Sequence, residues 1–381
     1  MPSDAETGLI SFGSGDAFPG VMPDLTEEAA AALTTWRAET LQYAPRPGLP
    51  ALRETIAEIM GRDGVAVDAA AIQVVNGAKH GLELVCRLLL APGDAVAVTA
   101  PTYFTALPIF RNCGARFVEV GRDGDGMDVA ELEETLARLS SAGERLPRLI
   151  YDVPDFHNPT GTTLSEPRRR ALIELADRYD IQIVEDSPYR EIRFSGDPPP
   201  LLKSLAPERV IHLGTFAKMV APGLRIGWVS AAPELLAQMA QAKSDGGTCP
   251  LTQRIIVEFC RRGRLEEQIK AMRDCYRDHR DHMLAAIRRE IPDASARAPD
   301  GGYYIWLTLP PGVDADILER DAEAQGVGVL SGSRFFPGDG AVSSNQPAPS
   351  SFLRLAYSFA APPDIDEGVR RLAAAIRAQA Q

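Results

Sequence analysis

The sequence predicts an α/β protein: a large domain on a mostly parallel seven-stranded sheet, joined to a smaller α+β domain. Three observations lead there. The chain has 381 residues, more than one hydrophobic core usually serves. From Ile72 onward, short β-branched runs alternate with amphipathic stretches, the pattern of buried parallel strands with helices on both faces. Near Pro250 the pattern turns helical and long, and sparser strands follow.

The runs are IQVV at 72–75, AVAVT at 95–99, RFVEV at 116–120, RLIYDV at 148–153, IQIVED at 181–186 and RVIHL at 209–213. A seventh, RIGWVS at 225–230, follows the sixth too closely for a helical crossover and is expected to pair antiparallel. Asp128-Val-Ala-Glu131 reads as a capping box, and Ser165-Glu166-Pro167 as a cap, an acid and a first-turn proline. Leu172, Leu175, Ala176 and Tyr179 share one face of the helix that follows.

The Arg-rich stretch from Pro250 to Glu290, with Ile269, Met272, Tyr276, Met283 and Ile287 among its apolar positions, is expected to bridge the domains. Strands near 303–308 and 352–356, a helix near 313–325 and a last helix opened by Asp364 to Glu367 make the small domain. Residues 340–350 form a Gly/Ser/Pro-rich loop. The large domain is expected over 46–280 and the small one over 1–45 and 281–381, the N-terminal segment lying with the cap or a partner subunit.

Composition narrows the function. With 45% hydrophobic and 24% charged residues the chain is an ordinary globular one, and a net charge of −12 has the wrong sign for a nucleic-acid surface. The start, Met1 to Asp4, lacks a cationic leader, and the apolar stretch from Leu84 to Val98 is broken by Arg87, Pro92, Gly93 and Asp94, so a cytoplasmic protein with no membrane span is expected. The five cysteines form no CxxC pair and are expected as buried free thiols. The five histidines share no ligand spacing, so no metal site is expected, although His157 directly precedes Asn158.

In open α/β sheets ligands sit beyond the carboxyl ends of the strands. After the first run come Asn76, Gly77, Ala78 and Lys79, a small-residue turn whose backbone N–H groups suit a phosphate at a helix N-terminus. Tyr103 follows the second run, Asn158 the fourth, Asp186 and Tyr189 the fifth, and Thr215, Lys218 and Arg225 the sixth. Singly these read as a tight turn, a core aromatic, an Asn-Pro turn and an edge carboxylate. Their shared position at consecutive strand ends favours one site. Of the five lysines, Lys79 suits a phosphate and Lys203, Lys243 and Lys270 read as solvated. Lys218 alone lies in a turn between two apolar strands, where burial depresses an amine's pKa and frees it for imine chemistry.

These residues resemble the class I/II aminotransferases of the pyridoxal-phosphate fold-type-I superfamily over nearly the whole chain. The motifs are GSGDAFP at 13–19, QYAPRPGLPALR at 42–53, NGAKHGLEL at 76–84, APTYF at 100–104, FHNPTG at 156–161, VEDSPYREIRF at 184–194, GTFAKMVAPGLRIGW at 214–228 and FLRLAYS at 352–358. The wording is similar to the branch that holds 2-aminoadipate transaminases and the effector domains of aminotransferase-like transcription regulators. The resemblance implies that Lys218 carries pyridoxal 5'-phosphate as an aldimine, that Asp186 pairs with its pyridinium nitrogen and that Tyr103 stacks on the ring. It further implies that Asn158 and Tyr189 hydrogen-bond the ring oxygen, and that Gly77, Ala78, Lys79, Thr215 and Arg225 hold the phosphate with Tyr43 of a second subunit in a homodimer that shares its active sites. Arg354 would clamp the substrate α-carboxylate, with Gly15 beside it.

The implied reaction moves an amino group from an L-amino acid to a 2-oxo acid by a 1,3-proton transfer at Lys218. The same scaffold resembles lyases, cyclases and oxidases of the 1-aminocyclopropane-1-carboxylate synthase kind, and sensor domains, and the cofactor motifs do not separate these outcomes. Ala78, Lys79, Ala217, Ser187, Tyr357 and the GDAFP loop depart from the family's usual residues. Residues 1–36 contain neither Lys nor Arg, so the N-terminal segment offers no cation to a distal carboxylate. Neutral, aromatic or basic donors are therefore expected over acidic ones, with glutamate open as a second-half donor if another arginine such as Arg334 swings in.

Overall fold

A computed structural model describes residues 8–338 and 347–379. The chain start at Met1 to Asp4 and positions 340–346 of the Gly/Ser/Pro-rich loop lie outside the described residues. The large sheet has strands β1 (Ile72–Val75), β2 (Ala95–Thr99), β3 (Arg116–Val120), β4 (Leu149–Asp152), β5 (Gln182–Asp186), β6 (Val210–Thr215) and β7 (Gly227–Ser230). Their order is β1-β7-β6-β5-β4-β2-β3. All pairings are parallel except those of β7, which runs antiparallel to both β1 and β6, as its short connection requires.

Alternation along each strand fills two layers. Val96, Val98, Tyr151 and Val184 face one helical layer, whereas Ala97, Ile150 and Ile183 face Leu172, Leu175 and Ala176 on the other. Tyr179 packs at the margin of that second layer. Gly227 opens β7 because a Cβ there would lie 2.6 Å from the Ala78 backbone nitrogen, so the strand closes tightly over the helix start.

Helix ends differ in detail from the local patterns. Asp128 caps Val129–Ser141 by accepting from the Ala130 and Glu131 backbone N–H groups. Glu131, however, accepts from the Gly121 N–H at 2.6 Å, because the Asp128 N–H already donates to Gly121 O. Ser165 makes no side-chain cap on Glu166–Arg178, where Pro167 in the first turn removes a donor. The long helix is two, Pro250–Arg261 and Arg264–Glu290, broken where Gly263 takes φ 74°. The last helix begins at Pro362, two residues ahead of its acidic run.

The small domain has a four-stranded antiparallel sheet of β8 (Ser295–Ala296), β9 (Tyr304–Thr308), β10 (Leu330–Ser331) and β11 (Phe352–Ala356), in the order β8-β9-β11-β10. The N-terminal segment divides: Ile10–Ser11 pairs in parallel with Val327–Gly328, whereas Thr26–Thr34 packs on Pro250–Arg261.

Local composition misplaces several polar groups. Lys203 and Lys243, which read as solvated, are buried: Lys203 Nζ donates to Pro207 O at 2.6 Å and Val210 O at 2.8 Å, and Lys243 Nζ donates to Thr248 Oγ1 at 2.9 Å. Carbonyls and a hydroxyl brought in by chain reversal replace water, which no composition window records. Lys270 is exposed. Of the five free cysteines only Cys86 is fully buried, and Cys249 is exposed at the start of its helix.

A buried ion cluster anchors the segment after β4. Arg169 is fully buried and donates to Asp155 Oδ1 at 2.9 Å, with Arg190 and Arg193 on the same carboxylate. Burial pushes the Asp155 carboxyl up, but the three guanidiniums outweigh it and hold it below its ordinary 3.8. The sign follows: this stabilisation is complete above about pH 4 and fades as acid protonates Asp155 below its unfolded value. Arg169→Met should cost about 3–5 kcal/mol by unpairing buried charge, read as a fall in the urea midpoint at pH 7. A change under 1 kcal/mol would show that Arg190 and Arg193 suffice.

Candidate active site

The carboxyl ends of β1, β4, β5 and β6 and the N-terminal arm enclose a cavity of about 290 Å³. Gly77, Ala78, Lys79, Tyr103, Asn158, Asp186, Tyr189, Thr215, Lys218 and Arg225 line it, all of them legible as strand-end residues. Arg354 and Gly15 join through hydrogen bonds. Tyr43 does not: it is 85% exposed on the surface of this single chain.

Lys218 sits in the turn after β6, and its Nζ donates to Gly15 O at 2.7 Å. The ammonium also lies 4.7 Å from the centre of the Tyr303 ring. Burial depresses its pKa to about 8, against the opposing charge of Asp16 and with the help of Arg354 and Arg225. A lysine so placed carries a substantial free-amine fraction near neutral pH.

Asp186 ends β5 fully enclosed. Tyr151 Oη donates to its Oδ2 at 2.8 Å, whereas Oδ1 is buried with no hydrogen-bond partner. Burial raises the carboxyl to about 6, and the Tyr151 hydrogen bond and nearby His212 moderate the rise. An enclosed acceptor without a donor costs stability, which marks Oδ1 as a place for a cationic N–H from a bound group. Its neighbour Glu185 shows the contrast, because the Leu202 and Lys203 backbone N–H groups and the His212 ring all bond to it.

At the opposite end Gly77 takes φ 87° ahead of the helix Ala78–Leu89. That left-handed φ favours glycine, and a Cβ on Gly77 would come within 2.9 Å of Arg225 Nη2 and push the guanidinium aside. Arg225 is itself left-handed at φ 55° and donates to Asn76 O at 3.1 Å. With exposed Lys79 beside Arg225 and the helix N-terminus, this end concentrates backbone donors and positive charge as a phosphate requires, while the Thr215 hydroxyl at its edge donates to Ile226 O at 3.1 Å.

Arg354, buried on β11, donates through Nη1 to Asn158 Oδ1 at 3.2 Å and through Nη2 to Gly13 O. Its Nε is buried without a partner. The Tyr304 ring centre lies 4.3 Å from the guanidinium carbon and Phe335 5.2 Å, which keeps the cation dry. Tyr189 Oη donates to Tyr304 Oη at 3.2 Å. Tyr151, Tyr303, Tyr304 and Asp16 were missed by strand-end reasoning. Only Tyr151, an aromatic in the aliphatic strand next to that of Asp186, left a local signal. His157 is buried between Thr160 and Thr99, and burial with the Arg122 charge holds its pKa well below 6.5, so it is a neutral core residue. Among the described residues no cluster of side chains suits a metal ion, and no helix is long and apolar enough to cross a membrane.

An amine of lowered basicity, an enclosed carboxylate with one partnerless oxygen and an anion-binding turn at the ends of parallel strands define an enzyme built around an imine-forming phosphorylated cofactor with a protonatable ring. The sequence profile of aminotransferase class I and II matches residues 7–372, and the chain belongs to that family. It is 36% identical to aromatic-amino-acid aminotransferase 1 of Thermococcus litoralis over 97% of this chain and 88% of that one. With a 2-aminoadipate transaminase of Thermus thermophilus it shares 35% identity over 97% of this chain and 90% of the relative. A crystal structure of a Pyrococcus horikoshii kynurenine aminotransferase superposes with a TM-score of 0.91 at 35% identity, covering 98% of this chain and 92% of that one. The protein is thus a pyridoxal-phosphate-dependent aminotransferase of fold type I, acting on amino acids and 2-oxo acids.

Proposed function

We propose that this aminotransferase moves the amino group of an L-amino acid to a 2-oxo acid with Lys218 as both cofactor anchor and proton carrier. The observation that carries the proposal is a half-buried Lys218 of depressed basicity in one cavity with the partnerless Asp186 Oδ1. When bound, pyridoxal phosphate supplies an aldehyde that condenses with amines and a ring that withdraws electrons from the substrate α-carbon.

The chain's own residues do the rest. Asp186 holds a proton on the ring nitrogen, with Tyr151 fixing the carboxylate's orientation. Among the residues lining the cavity, Asn158 and Tyr189 would bond the ring oxygen, Tyr103 would stack on the ring, and Gly77, Ala78, Lys79, Thr215 and Arg225 would hold the phosphate. Arg354 binds the substrate α-carboxylate beside Gly15. Lys218, with its amine freed by the bound substrate, would take the proton from the substrate α-carbon and carry it in the 1,3-transfer. Tyr303, Tyr304 and Phe335 keep water from these charges.

A cytoplasmic homodimer belongs to the same proposal: Leu41 and Tyr43 stand 64% and 85% exposed, an apolar tip suited to a second subunit's cavity. Light scattering that reads only a monomer would remove this part. Neutral, aromatic or basic donors are proposed over acidic ones. Residues 8–36 bring no cation, and Arg334 is paired with Glu319. Relatives named for aromatic amino acids and kynurenine agree, and the one named for 2-aminoadipate points the other way.

Incubation of the purified holoenzyme with single L-amino acids and no oxo acid tests the reaction. One equivalent of 2-oxo acid per site is expected, with the absorbance moving to that of the amine form of the cofactor. An eliminated or cyclised product instead would replace transamination with the lyase or cyclase reading.

A further inference from the structure

Five charged side chains line the cavity: Asp16, Lys79, Asp186, Lys218 and Arg225. In the reading above, four of them serve the cofactor. Asp16 has no task there.

Asp16 ends an N-terminal arm fastened at three backbone points. Gly13 O accepts from Arg354 Nη2, Gly15 O from Lys218 Nζ at 2.7 Å, and Asp16 O from Ser358 Oγ at 2.7 Å. The arm also presses on Tyr304, since a Cβ on Gly15 would fall 2.1 Å from the tyrosine oxygen. Ser14 Oγ donates to Asp16 Oδ2 and steadies the carboxylate. The arm therefore runs from the guanidinium proposed for the α-carboxylate to the amine at the reacting carbon. A donor that spans those two groups lies along it. The arm brings one charged side chain to the cavity, the Asp16 carboxylate, with no lysine or arginine anywhere in residues 8–36 and with Arg334 engaged by Glu319.

We propose that Asp16 is a specificity-determining residue that selects donors carrying a second amine or a guanidine in the side chain and rejects donors with a side-chain carboxylate. The proposal rests on the transamination reading above. Asp16 is solvent-exposed, so its effect is that of a partly screened charge, about tenfold in kcat/KM for a unit charge a few ångströms away.

The test compares holoenzyme and its Asp16→Asn and Asp16→Glu variants on ornithine and lysine, leucine and phenylalanine, and glutamate and 2-aminoadipate. In the unaltered protein the cationic donors should have the highest kcat/KM and the acidic donors the lowest. Asp16→Asn should lower the ratio of cationic to neutral donors about tenfold and raise the ratio of acidic to neutral donors about tenfold. Asp16→Glu should keep the original order. Salt at about 0.5 M should compress the order in the unaltered protein and leave the asparagine variant nearly flat. A merely structural arm would slow all donors in parallel, and unchanged ratios or a native preference for acidic donors overturn the proposal. Neutral donors turned over with no charge order sink this inference alone. Absence of any 2-oxo acid from every donor sinks the transamination reading and this inference with it.

Discussion

Lys218→Ala is expected to abolish the absorbance of the lysine-bound cofactor after dialysis and to lower kcat/KM by about 10²–10⁴-fold. Nothing nearby replaces the amine: Lys79, the other lysine lining the cavity, is exposed at the end assigned to the phosphate. The variant should fold, because the side chain it removes is a desolvated cation bonded to one carbonyl and resting over a ring. A separate signature comes from linkage. The folded pKa of about 8 lies below the ordinary 10.5, so between those values the unfolded chain holds the extra proton. Stability of the cofactor-free protein should therefore rise with pH across that window, and the alanine variant should lose that increment. Full retention of the cofactor band by Lys218→Ala after dialysis would move the anchor to another residue.

Asp186→Asn should weaken cofactor retention and cut kcat/KM by roughly 10²–10³-fold, the scale of losing one preorganised charge in a dry site. The substitution keeps the shape and lets Tyr151 stay bonded to the amide oxygen, so it removes the anion and little else. It also puts an amide N–H where the partnerless Oδ1 stood, and that donor repels a protonated ring nitrogen. The cofactor's ring should then titrate at lower pH in the variant, a shift that simple loss of packing would not produce. An asparagine variant within threefold of the parent rate, with an unaltered spectrum, would place the ring nitrogen elsewhere.

Much of this site was legible because an open parallel sheet sends every functional side chain to one edge. Gly77, Asn158, Asp186, Thr215 and Lys218 each stand just after or at the end of an apolar run, and strand period alone brings them together. Local composition sets Lys218 apart from Lys203 and Lys243, which read as solvated, but the structure does not keep that distinction. Both are buried, and the Lys203 ammonium falls to about 8 as well. What separates Lys218 from them is the cavity it faces, a property of the fold. Tyr303 and Tyr304 reach the site from the small domain and Asp16 from the far end of the chain. No local pattern marks them, because their proximity to Lys218 is set by domain docking.

By itself the sequence determined the fold class, the antiparallel turn of β7 and the residues at the sheet edge, since strand length, alternation and short connections are local constraints. Tertiary structure alone decided which charges are dry. The guanidiniums on Asp155 hold its carboxyl low, burial raises the Asp186 carboxyl, and burial lowers the basicity of the Lys218 amine. Desolvation and opposite charge compete at each of these groups. The balance depends on neighbours 14 to 203 residues away in the chain, from Arg169 on Asp155 to Gly15 at Lys218.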